Sequence, residues 1–297
     1  MGFTLENVSQ AQRERLAFIE FRAYFLGEIR RADIIGRFGI ATAAATRDIS
    51  LYRQISNDNL ALDPRTKSYL PRRGFAPIFE HPVDRVLTAL TKGFGEGLGG
   101  QTKALIACEI PQSLYHPDIA LLAPITQAIN RRKAVKVAYS SFSSGQTKRE
   151  IVPFALANNG LRWHVRAYDR LRNGFRDFVL TRISSSEFLE ASRVEDHEEQ
   201  ANDIEWGRII ELELVPHPKK KEQFGVIALD YGMPPDELVL KVRVRAALAG
   251  YFLRQWSVDC SKAHKLDSPE IRLWLRNSPT LYGVDSASLA PGYKQAS

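Results

Sequence analysis

Only two cysteines, Cys108 and Cys260, occur in 297 residues, and no CxxC pair is present. Neither a disulfide framework nor a cysteine-ligated zinc site is expected. No apolar run approaches the ~18 residues that a membrane helix needs. Residues 1–14 lack the apolar core of a signal peptide. The chain therefore reads as a cytoplasmic protein with reduced thiols. Residues 93–100 are rich in glycine but lack the Gly-Lys-Ser/Thr ending of a phosphate loop. Carboxylates cluster only between residues 191 and 205, read here as an acidic surface linker. No HExxH or comparable spacing occurs, and His164 has no motif nucleophile beside it. No catalytic residue, metal site or cofactor is assigned.

What is present is unevenly placed positive charge. The formal net charge is +7, made of +4 over residues 1–73, −2 over 74–123, +7 over 124–190 and −2 over 191–297. Two basic blocks point to two anionic partners, or to two contacts with one polyanion. The length suits two or three domains, and a hydrophobic content of 44% is enough to bury real cores.

The first basic block reads as three helices and a hairpin. Ser9 and Gln12 fit a capping box, and Phe18, Ile19, Phe21, Phe25 and Leu26 follow at helical spacing up to Gly27. Arg30 to Phe38 is a second helix, with Gly39 at its C′ position. Thr42 is placed to cap a third, running to about Ile55, with Ala45, Ile49 and Tyr52 inward. Its outer face carries Ala43, Thr46, Arg47, Ser50 and Arg53. Small residues there leave room for the helix to seat in a major groove, and the arginines can reach bases or phosphates. Two short strands, about Asn59–Leu62 and Ser68–Pro71, flank a turn with Arg65 and Lys67. That is a wing with cations for the phosphate backbone, and the whole is a winged helix-turn-helix. Pro77 to His81 is a linker, and Val83, Val86, Leu87 and Leu90 mark a short amphipathic helix.

The second basic block alternates at period 2. Ile119 to Arg132 is a helix with Leu122, Ile125 and Ile129 inward. Val135–Tyr139, Arg149–Pro153, Leu161–Asp169 and Phe175–Ile183 are strand runs, with a serine-rich connection from Ser140 to Thr147. Several short strands with tight turns suggest a small antiparallel barrel. On the Leu161–Asp169 run, Leu161, Trp163, Val165 and Ala167 form a core face, while Arg162, His164, Arg166 and Tyr168 form a cationic one. Planar guanidinium forks on one face suit an anion. The remainder, from Trp206 to Tyr282, reads as a βαβα(β) module of α+β type. His217 with Lys219, Lys220 and Lys221 reads as a helix start with solvated lysines, and the tail from Ser286 as frayed.

The middle block resembles the WYL domain. The resemblance is carried by Tyr139, by Arg149-x-Ile151-x-Pro153, by Arg162-Trp163-His164-Val165-Arg166-Ala167-Tyr168-Asp169, and by Arg176-x-Phe178-x-Leu180-x-Arg182-Ile183. The name-giving Trp-Tyr-Leu triplet stands here as Trp163-His164-Val165. The order of modules resembles the WYL-domain transcriptional regulators, most of all the repressors beside bacterial anti-phage defence operons of the BREX and CBASS types. That resemblance implies a multidomain α+β chain. A winged helix-turn-helix spans 1–75, a helical linker 76–118, an Sm-like β-barrel WYL domain 119–190, and an α+β dimerisation or extension domain 205–285. It also implies a homodimer on a pseudo-palindromic double-stranded DNA operator. Its WYL domain would sense an anionic nucleotide or nucleic-acid ligand through Tyr139, Ser141, Arg149, His164, Arg166 and Arg182. Arg243, Arg245 and Arg254 can add donors near that pocket. The alternatives left open are a nucleic-acid-processing enzyme, a general single-stranded nucleic-acid binder, and an interaction module.

Overall fold

The computed structural model describes residues 5, 8–93, 104–109 and 114–294. The chain divides into two compact units, residues 1–110 and 111–297, each described here by itself. Most of the glycine-rich run, residues 94–100, lies outside the described residues.

In the first unit, α1 (Gln10–Leu26), α2 (Arg31–Phe38) and α3 (Thr42–Ile55) precede β1 (Leu60–Asp63), β2 (Ser68–Pro71) and α4 (Val83–Lys92). The core is Leu16, Phe18, Ile19, Ile29, Ile34, Ile49, Tyr52 and Leu60. Half of the expected capping box forms. Ser9 Oγ accepts from Gln12 N at 3.3 Å, but the Gln12 side chain instead donates to Asp48 at 2.9 Å. Asp48 is buried on α3 and also accepts from Arg15 Nε at 2.6 Å, so a carboxylate ties α3 to α1. Thr42 does not cap α3. The cap is Ala41, and Thr42 is the first helical residue. β1 and β2 pair antiparallel as the wing, Leu60 opposite Pro71. The 77–81 segment is irregular yet anchored. Fully buried Glu20 accepts from Tyr52 Oη at 2.8 Å, from Ile78 N at 2.8 Å and from Phe79 N at 2.9 Å, and meets His81 Nε2 at 2.9 Å.

The second unit opens with α5 (Ile119–Arg131), followed by β3 (Val135–Ser141), β4 (Gly145–Asn158), β5 (Trp163–Asp169), β6 (Gly174–Val179) and β7 (Ile183–Phe188). The strands are antiparallel in the order β6-β5-β4-β3-β7. Laid flat, the edge strands β6 and β7 would stand about 19 Å apart at ~4.8 Å per strand. Only the 3₁₀ turn Leu180–Arg182 joins them, so the sheet curls into a small barrel. Val135, Val137, Ile151, Val165, Ala167 and Phe178 fill it, closed on one side by Ile125 and Ala128 of α5.

Trp163, expected in the core, is 45% exposed at the start of β5. The face expected to be cationic and open is buried: His164 and Arg166 are 4% and 6% exposed. Tyr251 packs on His164, and the cover over Arg166 comes from residues 195–205. This stretch is not a solvated linker but two 3₁₀ turns and α6 (Ile204–Gly207), with Glu198 and Asp203 buried against barrel arginines.

Next come β8 (Ile209–Pro216), α7 (Phe224–Asp230), β9 (Leu240–Arg245), α8 (Ala246–Gln255) and β10 (Leu273–Leu275), with sheet order β10-β8-β9. His217 does not start a helix. It is fully buried, its Nδ1 accepts from Lys219 N at 3.3 Å and its Nε2 meets Asp259 at 3.1 Å. The tail from Ser286 is not frayed. Ser286 Oγ donates to Ala246 O at 2.8 Å and accepts from Gly250 N at 3.0 Å, and Ala287 and Ala290 enter the core. A Cβ at Gly250 would lie 1.7 Å from Ser286 O. Gly250→Ala is therefore expected to destabilise this unit by about 3 kcal/mol, the upper end for overpacking. The check is a lowered urea midpoint at unchanged slope.

Candidate nucleic-acid interface and anion cleft

On α3, Ala43, Arg47 and Ser50 are exposed, and Thr42 lies exposed at its first turn. Thr46 is half-buried, and its hydroxyl donates back to Thr42 O at 3.0 Å, within the helix. The inward side, Ala45, Asp48, Ile49 and Tyr52, is fixed by the core and by Arg15. Burial thus leaves one helix face of small polar residues plus Arg47 facing out. Arg65 and Lys67 stand exposed at the wing turn. Asp63 holds that turn, accepting from Arg65 N and Thr66 Oγ1, both at 2.9 Å. Lys67 adopts a left-handed backbone with φ 56°. Among the described residues, the charged ends of Arg47, Arg65 and Lys67 have no ion-pair partner. Arg53 differs: its Nη2 pairs with Asp58 at 2.6 Å, and Arg72 joins the same carboxylate at 2.8 Å. Sequence reasoning passed over Arg72 and Arg73, whose signal was an Arg-Arg pair directly after the wing's Pro71.

The six residues expected to bind an anion do not converge. Tyr139, Ser141 and Arg149 line a cleft of about 370 Å³, together with Arg172, Arg176 and Asp177. His164, Arg166 and Arg182 are not among its lining residues. The Ser141–Ser144 turn offers hydroxyls, Ser141 Oγ lying 2.7 Å from Ser144 Oγ. Arg149 is buried, paired to Asp169 and donating to Thr147 Oγ1 at 2.9 Å, with Tyr139 and Phe178 rings beside it at 5.8 Å. Arg172 and Arg176 are exposed, and no hydrogen bond or ion pair holds their guanidinium groups among the described residues. They are the free cations of the cleft. Arg176 lies on the Phe175–Ile183 run that the resemblance names, but was not among the residues expected to bind the anion. Arg172 sits in the turn between β5 and β6.

Arg166 is occupied by its own chain. It makes a bidentate pair with Asp203, at 2.8 and 3.1 Å, and donates to Asp177 at 3.3 Å. Asp177 accepts in turn from Tyr251 Oη of α8 at 3.3 Å. Burial holds the Asp177 carboxyl above its usual range, with Arg166 pulling the other way. Arg170 repeats the arrangement with Glu198, at 2.7 and 2.8 Å. Arg182 lies over the Phe142 ring at 4.3 Å. Of the donors expected from the C-terminal module, Arg245 is turned to Trp206, while Arg243 and Arg254 are exposed. Among the described residues, no three His, Cys, Asp or Glu side chains group as a metal site requires, and no helix is long and apolar enough to cross a membrane.

His164 sits against Tyr251, ring centroids 5.2 Å apart. Burial, with Arg162 and Arg182 nearby, pushes its pKa down to about 4. Folded His164 is therefore neutral, whereas an unfolded one titrates near 6.5. The unfolded chain binds more protons between those values, so this contribution to stability is lost as pH falls from about 6.5 to about 4. His164→Gln is expected to flatten that part of the stability–pH profile, as read by urea unfolding at pH 4.5 and 7.

Residues 11–92 match the BrxR transcriptional regulator winged helix-turn-helix domain, residues 120–188 the WYL domain, and residues 209–281 the BrxR transcriptional regulator C-terminal dimerization domain. Among curated relatives, the DNA-binding transcriptional repressor CapW of Escherichia coli (strain KTE188) is 32% identical over 285 residues, covering 92% of this chain and 91% of the relative. CapW of Pseudomonas aeruginosa is 31% identical over 277 residues, covering 90% and 89%. CapW of Stenotrophomonas maltophilia is 28% identical over 288 residues, covering 91% and 94%. With three domain matches in this order, and that identity over nine-tenths of its length, the chain belongs to the BrxR- and CapW-type family of WYL-domain transcriptional regulators.

Proposed function

We propose that this chain is a homodimeric, DNA-binding transcriptional repressor of a phage-defence operon, acting in the cytoplasm. The observation that carries the reading is the outward face of α3 and the wing tip. Their cations Arg47, Arg65 and Lys67 are exposed and have no ion-pair partner among the described residues, beside a helix face of small residues. Family membership supports it, as do the C-terminal dimerization match and the repressor function of the CapW relatives. Two protomers would set two α3 helices on a pseudo-palindrome, with half-sites about 34–36 Å apart if they lie one helical turn apart. Within this reading, the Ser141–Arg172–Arg176 cleft takes the anionic signal, a nucleotide or nucleic-acid end, and its occupancy changes operator affinity. Such coupling requires the ligand to prefer one of two dimer geometries.

The test is binding to the DNA upstream of the chain's own gene across a salt series. Tight binding that survives competitor duplex is expected, with Arg65→Ala or Lys67→Ala lowering the salt slope by about 1 each. Arg47→Ala is expected to cost about 1–3 kcal/mol and to relax sequence preference if it reads a base edge. Equal, weak binding to any duplex would favour a general nucleic-acid binder instead. Arg172→Ala with Arg176→Ala is expected to leave operator binding intact and to abolish its response to an anionic inducer.

A further inference from the structure

A second cleft, of about 410 Å³, opens beside β4 and shares no residue with the Arg172–Arg176 cleft. Its wall is aromatic and is built by a break in the strand. Pro153 pairs with Ala167 and Ala155 with Arg166, which leaves Phe154 as an extra residue on β4. A bulge of this kind re-aims one side chain, and bulges concentrate beside functional sites. The Phe154 ring meets Trp206 edge to face, with centroids 5.6 Å apart. Arg245 lies over the Trp206 ring at 4.9 Å, while its Nη1 donates to Trp206 O at 2.6 Å. Trp206 is thus fixed by both neighbours and only 9% exposed, so the wall exists before any ligand arrives. Buried Val152 adds apolar surface. At the rim stand exposed Arg132 and Glu199, whose charged ends have no partner among the described residues.

We propose that this cleft binds a planar heteroaromatic ligand bearing one acidic group, of nucleoside-monophosphate size. The ring lies against Phe154 and Trp206, where edge and face contacts reward a flat π system. The acidic group faces Arg132 and Arg245, and an amino group on the ring donates to Glu199. The volume falls within the roughly 300–1,000 Å³ of small-molecule sites. The cleft is lined by the end of α5, the barrel strand β4, the 194–207 segment including Trp206, and the last residue of β9, so an occupant would bridge the WYL and C-terminal domains. The site stands apart from the cleft of the proposed inducer, and either can fail without the other.

Calorimetric titration of the full-length protein with AMP and GMP tests the proposal. Adenosine supplies the ring without the acid, and ribose 5-phosphate the acid without the ring. Saturable binding of AMP or GMP is expected, with each half-ligand weaker by about tenfold or more. Arg132→Gln, at an exposed position, is expected to weaken nucleotide binding about tenfold. Phe154→Leu is expected to weaken it too, and Arg176→Ala to leave it unchanged. The proposal is overturned if neither nucleotide binds, if ribose 5-phosphate binds as well as AMP, or if Arg176→Ala removes binding while Arg132→Gln spares it.

Discussion

Arg166 cannot be buried alone. A guanidinium taken out of water costs several kcal/mol unless carboxylates meet it. Here Asp203 meets it from the segment after the barrel, and Asp177 from the neighbouring strand. Asp177 then receives Tyr251 from α8. One cation therefore fastens β5, β6, the 195–205 segment and α8 to each other. Arg170 and Glu198 make a second fastening of the same kind. The barrel is thus fastened to the 195–205 segment by charges that must be paired once buried.

This pairing bears on the proposed anion site. A ligand competing for Arg166 would have to displace a bidentate carboxylate already in place. Arg172 and Arg176 require no such exchange, and the serine turn beside them offers hydroxyl donors. The DNA-facing unit follows the opposite logic. Its charges at Asp48 and Glu20 are spent inward, on Arg15 and on the 77–81 backbone. The outer face of α3 is thereby left small and uncluttered, and Arg47 on it and the wing cations Arg65 and Lys67 have no ion-pair partner among the described residues.

The fold was largely legible because its elements obey simple periods. The Phe18–Phe25 spacing and Gly27 and Gly39 as helix stops appear where the sequence places them, and so do the strand runs from Val135, although the Phe175–Ile183 run ends at Val179 in a 3₁₀ turn and Leu161 lies exposed before β5. Alternation reports two faces but not what covers the second one. His164, Arg166 and Tyr168 do share a side of β5, yet Asp203, about forty positions later, meets Arg166, and Tyr251 of α8 packs on His164. An acidic stretch such as 195–205 looks the same in a sequence whether it is solvated or docked on arginines. Trp163 misled for a related reason: it begins its strand at the barrel's end, where a core-facing position is half open. His217 and Ser286 were hidden because their partners, Asp259 and Gly250, lie some forty residues away.

The most direct measurement is a double-mutant cycle on Arg166 and Asp203, read by urea unfolding of Arg166→Met, Asp203→Leu and the double variant. If the buried pair fastens the 195–205 segment to the barrel, each single change costs about 3–5 kcal/mol, because it leaves a buried charge without its bidentate partner. The double variant then costs less than their sum by about 2 kcal/mol or more. Single costs under about 1 kcal/mol that simply add would contradict the account, since exposed ion pairs behave that way.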